Sequence, residues 1–207
     1  MKKIIFIGII GILTFSCKKK TDKYPTIPDY HIYAVGDNTI DGILRPIYYK
    51  DSVLTVLPND ATRHVSASKI FVQGNDVYIV GYRNRDNSIV FRPDKALLWK
   101  NGIMQILETP TGMWSIATDI VVLNNNVYIS GTTYTGVNGI TKATIWKNGQ
   151  AQYWSDDLSV AELHSLFIDG EDIYACGFEK VNGNDKAKYW KNGVGIELPC
   201  NAPYSRC

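Results

Sequence analysis

Histidine is scarce in this chain, and the catalytic signatures that spacing can reveal are missing. The three histidines, His31, His64 and His164, show no metal-ligand spacing such as His-x-x-x-His. The sequence also lacks a Gly-x-Ser-x-Gly elbow, a phosphate-binding loop and a dinucleotide-binding fingerprint. Acidic pairs such as Asp156 and Asp157 are adjacent, so on a strand they would point to opposite faces. These absences predict no metal site, no cofactor and no enzymatic activity.

The chain also lacks a large excess of charge of either sign, since it has 22 basic and 20 acidic residues. Loss of an N-terminal leader containing Lys2 and Lys3 would balance the two signs. Proteins that bind nucleic acids through the phosphates need a basic surplus, usually on one face. The composition therefore predicts no nucleic-acid partner.

The N-terminus lacks a hydrophobic run of transmembrane length and has a shorter one instead. Residues 4–15 form a largely apolar run of 12 residues, whereas a transmembrane helix needs about 20. The run follows Lys2 and Lys3 and ends before Ser16 and Cys17, which is the order of a signal peptide. We predict a signal peptide at residues 1–16.

The end of this run resembles the lipobox of bacterial lipoproteins. Leu13-Thr14-Phe15-Ser16-Cys17 places a cysteine directly after a small residue, although Thr14 stands where leucine is commonest and Phe15 is bulky. The resemblance implies that Cys17 is the lipid attachment site, and two or three acyl chains anchor a protein stably. We expect residues 17–29 to be a lipidated, flexible tether at the cell envelope, with the outer membrane favoured over the inner. Ordinary secretion and an uncleaved anchor are the alternatives.

Cysteine is rare in the remainder, where Cys176, Cys200 and Cys207 form an odd set. In an oxidising compartment, one disulfide and one thiol is the simplest arrangement. Cys200 and Cys207 flank a short loop, so they are the candidate disulfide, with the unpaired state as the alternative. Cys176 lies in an apolar strand pattern and is expected to be a buried thiol.

Residues 30–207 are dominated by an internal repeat with periods of 50, 47 and 44 residues. Each copy pairs an Asp/Asn-Val/Ile-Tyr-x-x-Gly segment with a later Trp-Lys-Asn-Gly segment. The copies lie at residues 76–81 with 96–102, residues 126–131 with 143–149, and residues 172–177 with 187–193, after a weaker copy at residues 32–36 with 47–52.

Each full copy contains four short runs rich in β-branched and aromatic residues. In the copy at residues 69–107, the last two runs are separated by Asn101-Gly102, a strong signal for a two-residue β-hairpin. Four antiparallel strands every 40 to 50 residues is the size of a propeller blade. We predict an all-β domain, a β-propeller-like array of about four four-stranded antiparallel blades with the first one incomplete.

The repeat partly resembles a kelch blade, which pairs a glycine with a later tryptophan, but the doubled glycine of kelch repeats is absent. It is more similar to uncharacterised bacterial lipoproteins with Tyr-x-x-Gly and Trp-Lys-Asn-Gly repeats, over residues 31–198. The resemblance implies architecture without function. A small closed propeller, an incomplete one that pairs through open edges, a shortened relative and a β-sandwich all remain open, as does ring closure by residues 201–207, which Pro203 disfavours.

The recurring residues of the repeat are expected to be structural. Buried between neighbouring blades, a tryptophan would contribute about 3–5 kcal/mol relative to alanine. The glycines are expected where the backbone crowds a neighbour. The tryptophans are Trp99, Trp146 and Trp190, and the glycines are Gly81, Gly131 and Gly177.

Three loops vary most between the copies and are expected to meet partners, at residues 83–95, 132–142 and 178–186. The residues singled out there and nearby for glycan or peptide contact are Arg83, Arg85, Arg92, Tyr134, Trp114 and Trp154. The leading hypothesis is a membrane-anchored, non-enzymatic binding or scaffolding module with a glycan or protein ligand. The alternative is an envelope polysaccharide hydrolase or lyase built on the same scaffold.

Overall fold

The fold is known from a computed structural model, which describes residues 30–59, 62–86, 93–136, 139–156 and 158–199. These residues form β-strands and no helix, which confirms the all-β prediction. Accordingly, the described chain offers no helix with the length and apolar character needed to cross a membrane. The predicted signal peptide, the tether with Cys17, and the candidate disulfide between Cys200 and Cys207 lie outside the described residues.

The strands form four antiparallel sheets in which sequence neighbours pair with each other. The first sheet has three strands and the others have four, as expected from the incomplete first copy. The first two sheets contain β1 (Tyr33–Ile40), β2 (Ile43–Lys50) and β3 (Val53–Val56), then β4 (Val65–Gln73), β5 (Asp76–Asn84), β6 (Pro93–Lys100) and β7 (Ile103–Ile106). The last two contain β8 (Trp114–Leu123), β9 (Asn126–Tyr134), β10 (Thr141–Lys147) and β11 (Gln150–Tyr153), then β12 (Ala161–Asp169), β13 (Asp172–Val181), β14 (Asn184–Lys191) and β15 (Val194–Glu197).

The last hairpin of each full sheet turns at an Asn-Gly pair, as the sequence predicts. Asn101 and Gly102 have φ angles of 50° and 81°, and the pair at Asn148 and the pair at Asn192 also have positive φ at both residues. Such a turn needs two residues that tolerate positive φ, which asparagine and glycine do. The first sheet uses Asp51, with a φ of 54°, in the same place.

One predicted loop is wrong. Residues 178–186 were expected to form a variable loop, but β13 continues to Val181 and β14 begins at Asn184. Asn182 and Gly183 close the hairpin with φ angles of 51° and 82°. Of the connections between the second and third strands of the full sheets, those after β5 and β9 are longer than a two-residue turn, and the one after β13 is not.

Consecutive sheets pack face to face in chain order. In each sheet, the rear face is the one that carries the aromatic residue of the third strand, namely Tyr49, Trp99, Trp146 or Trp190, and the forward face is the opposite one. The rear face of each full sheet packs on the forward face of the preceding sheet and forms a buried apolar cluster. Four separate sheets are stacked in this way, so the two-layer β-sandwich alternative does not fit.

The three tryptophans lie at the centres of these clusters, with at most 1% of each residue exposed. Trp146 packs against Val80 and Leu98 of the second sheet. Its indole Nε1 donates a hydrogen bond to the carbonyl oxygen of Glu108 at 2.7 Å, directly after the last strand of that sheet. Trp99 donates in the same way to Pro58, also at 2.7 Å. Each of these indoles thus joins its sheet to the end of the one before.

The recurring glycines lie within the second strand of each full sheet, and the neighbour that they crowd is the first strand of the same sheet. A β-bulge interrupts that strand in all three sheets, and Gly131 pairs with Ala117 at the start of the bulge. A Cβ atom at Gly131 would collide with the carbonyl oxygen of Ile116. Gly81 and Gly177 face equivalent carbonyl oxygens. Glycine is therefore required by the bulge.

The array has two uncovered ends. The contacts between neighbouring sheets run from the first sheet to the fourth, and those two sheets do not close onto each other within the described residues. Parts of the rear face of the first sheet and of the forward face of the fourth are consequently exposed, with Tyr49 at 39% and Phe167 at 64%, whereas Ile47 and Phe178 on the same two faces are buried.

Substituting Gly131→Ala should destabilise the protein by about 1–3 kcal/mol or more, because the new methyl group overlaps a backbone oxygen that cannot move freely. Gly36→Ala is the matched control, since Gly36 holds the same repeat position in the first sheet and has nothing within 4 Å of its Cβ position. Urea unfolding of both variants measures the difference. Equal stability of the two variants would contradict the role assigned to the bulge.

Candidate functional site

The most regular polar residues of the repeat hold its hairpins together. Asn101 Oδ1 accepts a hydrogen bond from the backbone nitrogen of Val77 at 2.9 Å, and its Nδ2 donates to Asp76 at 2.7 Å. Asn192 makes the same pair of bonds with Ile173 and Asp172, at 2.8 Å and 2.7 Å. These side chains tie the last hairpin of a sheet to the start of its second strand.

The lysine before each Asn-Gly turn belongs to the same unit. Lys100 Nζ lies 5.1 Å from the ring centre of Tyr78 and 3.4 Å from Asp76 Oδ2. Lys191 lies 5.3 Å from the Tyr174 ring and 2.6 Å from Asp172. Lysine therefore serves as a cation over the tyrosine face and as a partner for the acid. The most regular polar positions of the repeat are thus engaged in architecture.

The hydrogen bonds and charges of this unit lower the pKa of its two acids. The pKa of Asp172 is lowered, mainly by the hydrogen bond from Lys191 and next by that from Asn192. The pKa of Asp76 is lowered mainly by Asn101. Both carboxyl groups are stabilised in the charged form by residues of their own hairpin unit.

A second polar feature joins the first strands of three sheets. Asp119, which is almost fully buried, accepts hydrogen bonds from Ser165 Oγ at 2.9 Å and from the Leu166 backbone nitrogen at 3.0 Å. Lys69 Nζ of the second sheet lies 3.5 Å from its other oxygen. Each of Lys69, Asp119 and Ser165 is the first residue after the β-bulge of its sheet. The bulge therefore brings a polar residue from each sheet into one chain of contacts.

Polar residues also meet at the edge between the first two sheets. Asp37 accepts hydrogen bonds from the Ser66 hydroxyl and from the Ala67 backbone nitrogen. Partial burial raises the pKa of Asp37, and these two bonds oppose the rise. Asp37 thus links neighbouring sheets, as Asp119 does.

In the third sheet, burial raises the pKa of Tyr134, and the negative charge of Glu162 makes a smaller contribution in the same direction.

The loop residues expected to contact a ligand are largely used within the protein. Arg83 Nη2 lies 2.7 Å from Asp94. The guanidinium of Arg85 stacks on Trp114, with its carbon 3.8 Å from the ring centre. Trp154 packs beside the cluster between the third and fourth sheets. Arg92 lies outside the described residues.

A partly exposed apolar surface is found instead on the forward face of the fourth sheet. A groove of about 290 Å³ crosses it, and Phe167, Tyr174, Cys176 and Tyr189 contribute to its wall. In the preceding sheets, the residues in these positions are covered by the next sheet. We call this surface the end groove. The expectation that Cys176 is buried is wrong. Its side chain is half-buried, because no further sheet of the described chain covers this face.

The end groove leaves no mark within a single copy of the repeat, because its residues look like ordinary strand residues. The signal that could have revealed it is positional: an apolar forward face in the last described copy of a repeat whose forward faces are otherwise covered.

A second, more polar groove of about 320 Å³ is lined by residues that precede β12 and by residues at the end of β13, among them Asp156 and Lys180. Asp156 accepts bonds from the backbone nitrogens of Leu158 and Ser159, which lower its pKa.

No group of three or more histidine, cysteine, aspartate or glutamate side chains suited to a metal ion occurs in the part of the chain that the structure describes. In comparisons with known proteins, no family model matches the chain, and no curated protein matches it either.

We expect Lys191→Met to raise the pKa of Asp172 toward its ordinary value of 3.8, because Lys191 is the main group that favours the charged form. Lys147→Met is the matched control, since Lys147 occupies the same position in the third sheet, where Asn126 replaces the acid. NMR titration of the Asp172 carboxyl carbon measures both variants. An unchanged Asp172 titration in Lys191→Met would show that the ion pair does not form in solution.

The same ion pair has a consequence for acid stability. The folded-state pKa of Asp172 is depressed, so the stabilisation is present above the unfolded-state pKa and is lost as the pH falls through the folded-state pKa. Lys191→Met should therefore reduce the stability difference between neutral and acidic pH, and Lys147→Met should leave it unchanged.

Proposed function

We propose that the protein is a membrane-anchored lipoprotein of the bacterial cell envelope whose β domain is a non-enzymatic binding or scaffolding module. The observation that carries this proposal is the pair of uncovered apolar faces at the ends of the sheet array. Exposed apolar surface of this kind is typical of protein interaction sites.

The anchor is supported by the order of residues at the N-terminus. Lys2 and Lys3, an apolar run of 12 residues and Cys17 after a small residue follow the order expected of a lipoprotein export signal. The polar, proline-containing stretch that follows would act as a spacer between the lipid and the folded unit His31–Cys207. The outer membrane is our preferred location.

The finer architecture is a propeller-like array of blades, similar to bacterial lipoproteins with Trp-Lys-Asn-Gly repeats. Its support is the uniform packing of the tryptophan-bearing rear face of each full sheet on the preceding sheet. Propellers stack four-stranded sheets around an axis in the same manner. This chain would supply four blades, the first of them lacking one strand.

The binding role is favoured over hydrolysis or lyase activity on a polysaccharide. A glycoside hydrolase needs two carboxyl groups that face a common cleft and are available to the substrate. Here the carboxylate of Asp119 is occupied by Ser165 and Leu166, and that of Asp37 by Ser66 and Ala67. Both acids act as links between sheets.

We expect Cys17→Ala to move the protein from the membrane fraction to the soluble or unprocessed fraction of cells, because it removes the acylated thiol. The control is Cys176→Ala, which leaves the lipobox intact and should stay with the membrane. Fractionation followed by mass determination of the mature N-terminus measures both. Membrane association of a processed Cys17→Ala protein would disprove lipid anchoring at this residue.

The binding role is tested with the mature chain lacking its lipid, residues 18–207, against glycans, peptidoglycan fragments and peptides. A ligand present at about a hundredfold over its dissociation constant stabilises by about 2.7 kcal/mol, which should raise the melting temperature by roughly 5 to 11 °C. Polysaccharides in the panel are also assayed for cleavage, and none is expected. Turnover of any of them would overturn the non-enzymatic assignment.

A further inference from the structure

The same interface is built three times within the chain. Val35 and Tyr48 of the first sheet receive Trp99 of the second. The forward face of the second sheet receives Trp146, and the forward face of the third receives Trp190. A forward face of this repeat is therefore a surface that binds a rear face with an aromatic residue at its centre.

The fourth sheet presents a fourth forward face, and no rear face of the described residues packs on it. Tyr189 holds the position that Leu98 and Ile145 hold in the second and third sheets, where both are buried. Tyr174 holds the position of Tyr78 and Tyr128. The end groove is thus equivalent to the surfaces that accept Trp146 and Trp190.

The first sheet presents the complementary surface. Tyr49 occupies the repeat position of the three tryptophans but is 39% exposed, whereas each of them is at most 1% exposed. Ile32 occupies the position of Val77, Val127 and Ile173 and is 71% exposed. Leu54, which pairs with Tyr49 across the sheet, is 43% exposed. This rear face carries the features that forward faces bind, and the described chain places no sheet against it.

We propose that the end groove of one chain binds the rear face of the first sheet of a second copy, with Tyr49 of that copy against Tyr189. The contact continues an interface that the chain already makes three times. It deepens the proposed scaffolding function, on which it rests, by naming the partner.

The geometry of the contact also sets the number of copies. A head-to-tail contact forms a closed ring when the rotation from one copy to the next, repeated over a whole number of copies, completes a circle. Two copies with four sheets each form a ring of eight, which is within the range of about four to eight blades seen in propellers. Three copies would exceed that range. The assembly is therefore a dimer with two identical contacts, and each contact contains one Tyr49 and one Tyr189.

The mature chain without its lipid, residues 18–207, is measured by light scattering coupled to size exclusion and by sedimentation velocity. The expected mass is that of a dimer. Tyr49→Arg and Tyr189→Arg each place an arginine in both contacts, so each should raise the dimer dissociation constant by roughly thirtyfold or more, as for a central aromatic anchor. Ile103→Arg is the control, because Ile103 is 75% exposed on the second sheet, away from both end faces, and it should remain dimeric.

Mixing the two variants separates the head-to-tail contact from other dimers. In a ring made of one Tyr49→Arg chain and one Tyr189→Arg chain, one contact has both native tyrosines and the other has neither. The mixture should therefore form a heterodimer that neither variant forms with itself. Circular dichroism and melting of each variant establish that the fold is retained.

A wild-type monomer at every accessible concentration would overturn the proposal, and so would a dimer that both arginine variants leave intact. Neither result would affect membrane attachment through Cys17 or ligand binding in the melting panel, so failure of this inference is distinguishable from failure of the proposed function.

Discussion

The structure depends on covering the two apolar faces of each sheet. A four-stranded sheet of this repeat is apolar on both faces, so one sheet alone would leave a tryptophan in water. Stacking covers each internal face: the apolar residues around Trp99 and Trp146 are buried or partly buried. Each sheet added to the stack covers one apolar face and presents another. An apolar face that no neighbouring sheet covers therefore remains at each end of the described array. The interaction surfaces that we propose follow from this requirement.

The polar residues of the repeat act at shorter range. The hydrogen bonds of Asn101 with Val77 and Asp76 stay within one sheet, and Lys100 lies over Tyr78 of the same sheet. These contacts set the hairpin and its registration, whereas the tryptophans set the distance between sheets. The most regular polar pattern in the sequence therefore serves the architecture, and the proposed interaction surfaces lie at the ends of the described array.

The sequence allowed the strand content, the four copies and the Asn-Gly hairpins to be predicted, because strand alternation and positive φ leave local signals. Asn182-Gly183 carries the same turn signal, but residues 178–186 vary between the copies, a feature that favours a loop. The β-bulge opposite Gly131 could not be predicted, since it depends on pairing between two strands. The burial of Asp119 and the half-burial of Cys176 depend on which sheets lie next to them, and no local pattern records that.

The departures of the first sheet from the repeat follow from its neighbours. Gly36 has the glycine of the consensus but faces open space, because the sheet lacks the bulged first strand that requires glycine in the other copies. Tyr49 replaces tryptophan at the one third-strand position that has no preceding sheet among the described residues, and a tyrosine can keep its hydroxyl near solvent while its ring makes a contact. By contrast, Val35 and Tyr48 on the forward face of this sheet pack against the second sheet as the repeat requires. The first sheet therefore matches the others where it is covered and differs where it is not, and Tyr49 suits the proposed contact, in which it is exposed in one chain and covered in the dimer.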